Sequence, residues 1–363
     1  MTIEDRGPAL AWLMTQLQWR NLKSTLLVVA LTLVLFAIAA EILLRASCSY
    51  CTWTERNGGA FRSPYEAPRH GSWYHTRPPN QTTSYGQPEF DHELRTNAFG
   101  IRDIEHPVAK PAGGFRIIGI GDSFTEGQGA AYEDGYLKVL ERNLATDTAE
   151  VEVIVAGVAG SDPLYGYRLL ADRLLAFGPD LVTVTVNNSD ISDVITRGGK
   201  ERFQDDGSIR YAPPPSDEWL FEHNHFYRFI ARELFGYGWL GLSRSERKRA
   251  RALALEQIAE ALGDFQDLAQ REGFAFVVIL HPDYDEFKRK RYAFEADDLK
   301  ERLDAQGIAY FDLLAAFDQS GALDDQAPED LYWPSDYHHN AQGYARFAEA
   351  LESWLRAHGL VPG

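Results

Sequence analysis

Ser123 is the residue whose type and position best suit it to chemistry. It lies in the run Gly121-Asp122-Ser123-Phe124, directly after the apolar letters FRIIGI. A serine on a tight turn between a strand and a helix presents its hydroxyl at the end of the sheet. The helix N-terminus beneath it offers unpaired N–H groups that stabilise an oxyanion. Asp122 and Ser123 are also favoured helix N-caps, so the turn by itself leaves a purely structural role open.

A second group of polar residues lies near the C-terminus. Asp336 and His338 occur in the run DYHHNAQG, just before a helical pattern at 342–357. On a loop the two side chains can turn to one side. Asp336 would then orient the imidazole of His338 and stabilise its charged form while that ring takes the proton of Ser123. The adjacent His339 remains an alternative at this position.

The elements that would position these residues alternate along the chain. Apolar, β-rich runs predict strands at 115–120, 151–156, 181–186, 274–280 and 308–313. Helical patterns predict helices at 136–144, 164–177, 246–272, 286–304 and 342–357. This alternation indicates an α/β fold, in which a parallel sheet is covered on both faces and catalytic residues lie beyond the carboxyl ends of the strands. A Pro- and aromatic-rich insertion at about 195–245 interrupts the pattern. It either shapes the substrate cleft or is a surface excursion.

An apolar stretch near the N-terminus predicts a membrane anchor. Residues 24–44 contain a single charge, Glu41, and about 20 apolar residues span a bilayer as a helix. Arg20 and Lys23 precede the stretch, so the positive-inside rule predicts a cytoplasmic N-terminus and an extracytoplasmic remainder, periplasmic or extracellular. The run Ala37-Ile38-Ala39 would alternatively be the cleavage site of a removed signal peptide. We favour an uncleaved anchor because the leader is long and the helical pattern continues beyond that run.

The chain therefore divides into four predicted regions. They are a cytoplasmic tail (1–23), a transmembrane anchor (24–44), an extended stalk (45–95) and a catalytic domain (96–363) that contains the insertion at about 195–245. The stalk is predicted from its many Pro, Gly, Ser and Thr residues and its lack of apolar runs.

The composition of the chain argues against some classes of partner and cofactor. A net charge of −17 disfavours binding to nucleic acid. Cys48 and Cys51 are the only cysteines, too few for a four-cysteine zinc site. They form either a local disulfide, which an oxidising compartment would allow, or two free thiols. We expect no metal and no other cofactor.

Together these residues resemble the SGNH, or GDSL-type, hydrolase family over most of 97–357. The Gly-Asp-Ser-Phe block is matched at 121–127, and the Asn-x-x-Gly-Ile-Arg segment that often precedes it is matched at 97–102. The C-terminal Asp-x-His-x-Asn-x-x-Gly block is matched at 336–343. The resemblance implies a three-layer, doubly wound parallel sheet of the flavodoxin-like type, with Ser123 as nucleophile. It also implies that the N–H groups of Ser123 and Gly160 form an oxyanion hole.

The third family block departs from the pattern. The family has Gly-x-Asn-Asp after the third strand, where the Asn side chain is a further oxyanion donor, but this chain has Asn187-Asn188-Ser189-Asp190. If the family block is aligned on Asp190, Ser189 takes the place of the Asn. If the alignment is shifted by one residue, Asn188 takes that place. We favour Asn188, with Ser189 and Asn187 as the alternatives.

The resemblance implies a membrane-anchored, extracytoplasmic serine esterase that cleaves O-acetyl or other carboxylic esters, with a glycan as one candidate substrate. Two other hypotheses stay open. Membrane-tethered relatives include O-acyltransferases that act on cell-surface polysaccharides. The altered third block and the aromatic insertion would also suit a catalytically weak glycan-binding scaffold.

Overall fold

The computed structural model describes residues 7–56, 58–61, 63, 65, 76–145, 150–206, 208–237 and 241–362. Residues 1–6 of the expected tail and 66–75 of the expected stalk therefore lie outside the described residues. The strands are β1 (Thr82–Gln87), β2 (Phe90–Arg95), β3 (Phe115–Gly121), β4 (Val151–Gly157), β5 (Leu181–Val186), β6 (Ala275–Leu280) and β7 (Ala309–Asp312).

The five later strands form one parallel sheet in the order β4-β3-β5-β6-β7. Every residue of β5 is buried, as expected for a central strand that is covered on both faces. Successive residues contribute to opposite faces: Val153 and Val155 belong to one apolar core, and Ile154 and Ala156 to the other. The α/β fold predicted from the alternating runs is confirmed.

Helices cover both faces of the sheet. Those of the described residues are α1 (Gly7–Ser47), α2 (Trp53–Arg56), α3 (Ser123–Glu126), α4 (Tyr136–Leu144), α5 (Pro163–Leu169), α6 (Asn188–Arg197), α7 (Glu218–His223), α8 (His225–Phe229), α9 (Arg244–Glu272), α10 (Tyr284–Arg289), α11 (Ala296–Ala305), α12 (Leu313–Gln319), α13 (Ala322–Asp325), α14 (Pro328–Leu331) and α15 (Ala341–Ala357). One layer contains α5, α6, α9 and α11, and the other contains α4, α12 and α15.

The strand order creates a crevice at the carboxyl edge of the sheet. From β3 the chain first adds β4 on one side and then returns to add β5, β6 and β7 on the other. The loops after β3 and β5 therefore diverge, which is the position where doubly wound sheets bind ligands. Ser123 begins α3 directly after β3, and Asn188 begins α6 shortly after β5.

Two helices differ from the sequence-based expectation. The single helix expected at 286–304 is two helices, α10 and α11. The C-cap of α10, Lys290, has a left-handed backbone with φ of 53°, which ends the helix. The helix expected at 164–177 is present as α5, but it continues as a π-helical turn at Leu170–Leu174 and a 3₁₀ turn at Leu175–Phe177. Side-chain periodicity does not distinguish these backbone variants.

The N-terminal region begins with one very long helix. Within α1, residues Trp19–Ser47 are long and apolar enough to cross a membrane, and none of their most apolar stretch is buried against the rest of the protein. A disulfide joins Cys48 to Cys51 directly after this helix. The segment expected to be an extended stalk contains an antiparallel hairpin, β1 with β2. This hairpin lies against the catalytic domain, where Phe90 contacts Trp333.

Candidate active site

Ser123, His338 and Asp336 lie in hydrogen-bonding contact. The Ser123 Oγ is 2.7 Å from His338 Nε2, and His338 Nδ1 is 2.5 Å from Asp336 Oδ1. With the Nδ1–H donating to the carboxylate, Nε2 is free to accept the serine proton. The Asp336 carboxylate is fully buried, whereas the imidazole of His338 retains some exposure to solvent. This is the arrangement of a nucleophile, a general base and the group that orients the base.

A tight turn presents Asp336 and His338. The N–H of Trp333 donates to the carbonyl of His338 at 2.8 Å, and the N–H of Tyr337 donates to the carbonyl of Trp333 at 2.7 Å. Tyr337 has a φ of 71°, a left-handed conformation that is rare for an aromatic residue. Such strain persists only where surrounding contacts hold it, and it concentrates at functional sites.

Two residues from distant parts of the chain hold this turn in place. The Glu89 carboxylate, between β1 and β2, accepts the backbone N–H of Ser335 at 2.9 Å and that of Asp336 at 2.8 Å. The side-chain amide of Gln128 lies 3.4 Å from Asp336 Oδ2 and 3.1 Å from His338 Nδ1. Sequence reasoning missed both residues. The position of Gln128, just after the Gly-Asp-Ser turn, was a usable signal, but nothing in the sequence marks Glu89.

His339 points away from Ser123 and into the core. Its Nδ1–H donates to the carbonyl of Leu331 at 3.0 Å, and its Nε2 lies 3.0 Å from Nε2 of the buried His281. Burial lowers the pKa of His339 to about 3 and that of His281 well below its usual range, so both rings are neutral. Of the two histidines that the sequence left as alternatives, the structure brings His338 to Ser123.

The three candidates of the third block have different surroundings. Asn187 caps α6, and its amide donates to Asp122 Oδ2 at 2.9 Å. The hydroxyl of Ser189 also donates to Asp122 Oδ2, at 3.1 Å. Asn188 makes no side-chain hydrogen bond within the described part of the chain, and it lines the same cavity as Ser123. Asp122 itself caps α3 by accepting the N–H of Phe124.

Two glycines line the cavity that contains Ser123. A Cβ on Gly157 would lie 2.1 Å from the backbone nitrogen of Glu126, so only glycine allows β4 to approach α3 this closely. Gly160 has a φ of 71° and lines the cavity beside Ser123. A Cβ there would lie 3.0 Å from Nη2 of Arg197.

A wide cavity opens over these residues. Its volume is about 1260 Å³. Charged and polar side chains in its wall include Arg77, Glu126, Asp193, Arg197 and Asp285. Arg77 is paired with Glu126 at 2.7 Å, whereas the guanidinium of Arg197 has no ion pair or hydrogen bond among the residues that the structure describes. Burial raises the pKa of Asp193 to about 8 against the opposing charge of Arg197.

Known proteins similar to this chain are hydrolases. A family model described as the GDSL-like lipase/acylhydrolase family matches residues 120–346, which is more than half of the chain. No curated protein matches the sequence.

Several solved structures have low similarity to the chain. One is a two-domain esterase active on acetylated mannans, co-crystallised with mannopentaose (14% identity, TM-score 0.43, covering 69% of this chain and 52% of that one). The chain thus spans about half the length of that esterase. Another is the acetylxylan esterase Axe2 from Geobacillus stearothermophilus (16% identity, TM-score 0.41, 69% and 97%). A third is LAE5, an α/β hydrolase from the metagenome of Lake Arreo, Spain (17% identity, TM-score 0.42, 69% and 97%).

Proposed function

The chain belongs to the GDSL-like lipase/acylhydrolase family. From this family and the N-terminal apolar helix, we propose that it is a membrane-anchored, extracytoplasmic esterase of O-acetyl or other short acyl esters. It is a serine hydrolase that acts on ester bonds. The observation that carries the proposed mechanism is the pair of contacts made by His338: Nε2 to Ser123 Oγ at 2.7 Å and Nδ1 to Asp336 Oδ1 at 2.5 Å.

The reaction proceeds through an acyl-enzyme. His338 Nε2 takes the proton of Ser123 as Oγ bonds to the ester carbonyl carbon. The resulting imidazolium, stabilised by Asp336, gives that proton to the leaving alcohol as the ester C–O bond breaks. Water then attacks the acyl-enzyme by the same route, which releases the carboxylic acid and restores the free serine.

Three donors stabilise the oxyanion in this mechanism. They are the N–H groups of Ser123 and Gly160 and the side-chain amide of Asn188. The choice of Asn188 is supported by its amide in the cavity, which makes no hydrogen bond to a described residue, whereas the side chains of Asn187 and Ser189 both donate to Asp122. The N-terminus of α3 adds a partial positive charge at the same point, although α3 is only four residues long.

The cavity supports a polar substrate with a small acyl group. Its wall carries a guanidinium without an ion pair among the described residues, that of Arg197, and several carboxylates. Burying a long acyl chain against such groups would leave them desolvated and unpaired, whereas a sugar can hydrogen-bond to them. We therefore propose an acylated glycan as the substrate.

The proposed location of the protein is inferred from its N-terminal helix. In the proposed division the tail (1–23) is cytoplasmic and residues 24–44 cross the membrane. Residues 45–95 link this anchor to the extracytoplasmic catalytic domain, which is formed by 96–363. Arg20 and Lys23 on the proposed cytoplasmic side support this orientation. The disulfide between Cys48 and Cys51 supports it too, because disulfides persist in oxidising compartments.

Replacement of the nucleophile tests the proposal. We expect Ser123→Ala to abolish hydrolysis of an aryl acetate and labelling by a fluorophosphonate probe. Circular dichroism and the thermal unfolding midpoint should match those of the parent chain. The matched control is Ser192→Ala, which changes another cavity serine, whose hydroxyl donates to the carbonyl of Ser189. Undiminished hydrolysis by the Ser123 variant would exclude the mechanism.

A further inference from the structure

The segment 218–235, which contains α7 and α8, is bound to the end of the proposed membrane helix. The backbone N–H of Phe226 donates to Glu41 Oε2 at 2.7 Å, and Nη2 of Arg45 donates to the carbonyl of His223 at 2.9 Å. The rings of Phe36 and Phe226 meet edge to face with centroids 6.0 Å apart. The catalytic domain is therefore held against α1 and does not merely follow it on a stalk.

A buried arginine strengthens this attachment just beyond α1. Arg228 of α8 donates to the carbonyl of Tyr50 at 2.9 Å and pairs with the carboxylate of Glu55 at 2.6 Å. The ring of Tyr50 also meets that of Phe229, with centroids 5.8 Å apart. These contacts are charge-assisted or buried, so they constrain the segment more than surface ion pairs would.

The contact with Phe36 sets the depth of the segment. Phe36 precedes Leu44, the outer end of the proposed span, by eight residues, which corresponds to about 12 Å along the helix axis. In an anchor that spans 24–44, this position lies inside the outer half of the hydrocarbon core, which is about 30 Å thick. Phe226, in contact with Phe36, then lies below the membrane surface as well.

The polar groups at this depth satisfy one another. Glu41 is the one charged residue in 24–44, and its carboxylate binds both the Arg45 guanidinium at 2.6 Å and the N–H of Phe226. Charged and backbone polar groups enter a membrane only when they are paired in this way. The cluster explains why an acidic residue occurs near the outer end of an otherwise apolar helix.

Apolar side chains continue along the side of the segment that carries Phe226. Ile230 and Leu234 follow Phe226 at four-residue intervals, and the π-helical turn at Ile230–Leu234 adds Phe235 to the same side. Leu234 is 68% exposed and Phe235 is 66% exposed, and in α7 Trp219 is 62% exposed. Exposed large apolar groups next to a membrane helix are typical of segments that lie in the bilayer interface.

We propose that the segment 218–235 is embedded in the outer interface of the lipid bilayer. The occupant of its apolar side is phospholipid, because this side continues the lipid-facing surface of α1. The inference rests on the proposed anchoring through α1 and adds to it that the catalytic domain is fixed on the membrane.

This placement brings the active-site cavity close to the membrane. Phe61 and Ser63 line the cavity wall. Ser63 also hydrogen-bonds to Glu218, and Phe61 lies under the guanidinium of Arg228 at 5.2 Å. Phe61 and Ser63 thus contact both the cavity and the embedded segment. The acyl ester that the enzyme cleaves is accordingly presented at the membrane surface.

Depth-dependent quenching tests the proposal in the full chain. Single variants Leu234→Cys, Leu43→Cys and Val108→Cys are labelled with the environment-sensitive dye NBD, with the native disulfide kept oxidised. They are then placed in phosphatidylcholine nanodiscs that contain doxyl-labelled lipid. All three side chains are exposed, at 68%, 69% and 55%. Leu43 lies in α1, whereas Val108 lies beside Arg116 near the amino end of the sheet, opposite the cavity.

We expect a blue shift and loss of fluorescence at positions 234 and 43, and neither at 108. If the dye at position 43 is quenched while the dye at 234 behaves like that at 108, the proposal that 218–235 is embedded is overturned, whereas the anchoring by α1 is retained. If position 43 is not quenched and carbonate extracts the chain from membranes, the anchor itself fails and the inference fails with it. A blue shift at 234 without lipid quenching would mean that a protein partner covers this side, which also overturns the proposal.

Discussion

At the scale of single residues, the site depends on which nitrogen of His338 carries the proton. Asp336 has one carboxylate oxygen 2.5 Å from Nδ1, and its own backbone N–H is held by Glu89. The imidazole also packs against Phe124, with ring centroids 4.6 Å apart, so its plane is constrained. The neighbouring His339 and His281 are neutral and turned away. One histidine is thus available to take the proton of Ser123.

Asp336→Asn should impair chemistry while preserving the fold. An amide in place of the carboxylate favours the wrong imidazole tautomer and removes the negative charge that stabilises the imidazolium, so kcat should fall on the order of 10³–10⁴-fold. Steady-state hydrolysis of an aryl acetate measures the effect. Asp285→Asn, at the rim of the same cavity, should stay close to the parent rate. A kcat for Asp336→Asn within a few-fold of the parent would contradict the role of this carboxylate.

Asn188→Ala should separate the third-block candidates. Loss of one oxyanion donor lowers kcat by about 10²–10³-fold, with a smaller change in KM. Ser189→Ala is the matched control, since its hydroxyl is bound to Asp122 and Asn187. Asn187→Ala is less informative because Asn187 caps α6. If Ser189→Ala proves the more damaging of the two variants, the donor has been assigned to the wrong residue.

At the scale of elements, four segments far apart in the chain position the proposed catalytic triad and Asn188. The turn after β3 provides Ser123, the start of α6 provides Asn188, and the turn before α15 provides Asp336 and His338. The β1–β2 hairpin is the fourth, because Glu89 holds the last of these turns. The hairpin lies in the segment expected to be a stalk, yet it packs on the catalytic turn through Phe90 and Trp333 as well.

Glu89→Ala should lower the rate of catalysis although Glu89 acts through the catalytic turn and not through a contact with the substrate. Two backbone N–H groups lose their acceptor, and a small displacement of the catalytic turn can cost on the order of 10–100-fold in rate. We expect the loss in kcat, little change in KM, and partial recovery in Glu89→Gln. Glu93→Ala, an exposed glutamate on the same hairpin, serves as the control. Equal rates for the Glu89 and Glu93 variants would show that the hairpin does not position the turn.

At the scale of the whole molecule, the two ends of the sheet carry different groups of residues. The carboxyl end holds the proposed catalytic residues, and the amino end holds a buried network of charges. There His106 bridges Asp103 at 3.0 Å and Glu152 at 2.6 Å, and Arg116 also pairs with Glu152. Burial lowers the pKa of His106, but the hydrogen bonds and charges of the two carboxylates outweigh it and leave that pKa raised. This network ties the 103–108 loop to β3 and β4.

The raised pKa of His106 makes stability depend on pH in a definite direction. The charged imidazole binds its proton more tightly in the folded state, so its contribution is complete below the ordinary pKa of 6.5. That contribution is lost as the pH rises through the raised pKa. The free energy of unfolding of the parent should therefore exceed that of His106→Gln most at low pH, with a gap that narrows above pH 6.5.

Denaturant unfolding of the full chain in mild detergent, from about pH 5 to pH 9, measures this gap. His358→Gln is a suitable control, because His358 is exposed at the end of α15 and has no carboxylate partner among the described ion pairs. A gap between parent and His106→Gln that widens with rising pH would contradict the assignment.

Much of this protein is determined by its sequence alone, because the signals are local. The five strand runs were predicted within a few residues of their observed bounds, since periods and compositions of apolar side chains report burial directly. The length of 24–44 indicated a membrane helix by the same logic. The Gly-Asp-Ser turn and the Asp-x-His spacing pointed to the residues that the fold brings together, because each is a short-range pattern at the end of an element.

Tertiary structure decided the rest, because side-chain direction depends on backbone register and on distant neighbours. The sequence does not distinguish His338 from His339 as the partner of Ser123. The left-handed backbone of Tyr337 and the core contacts of His339 decide the choice, because they direct His338 towards Ser123 and His339 into the core. The roles of Asn187, Asn188 and Ser189 depend on where α6 begins. Asn187 caps the helix, and within the described part of the chain the amide of Asn188 makes no hydrogen bond. The contact of Glu89 with residues 246 and 247 positions away follows from packing that no local pattern encodes.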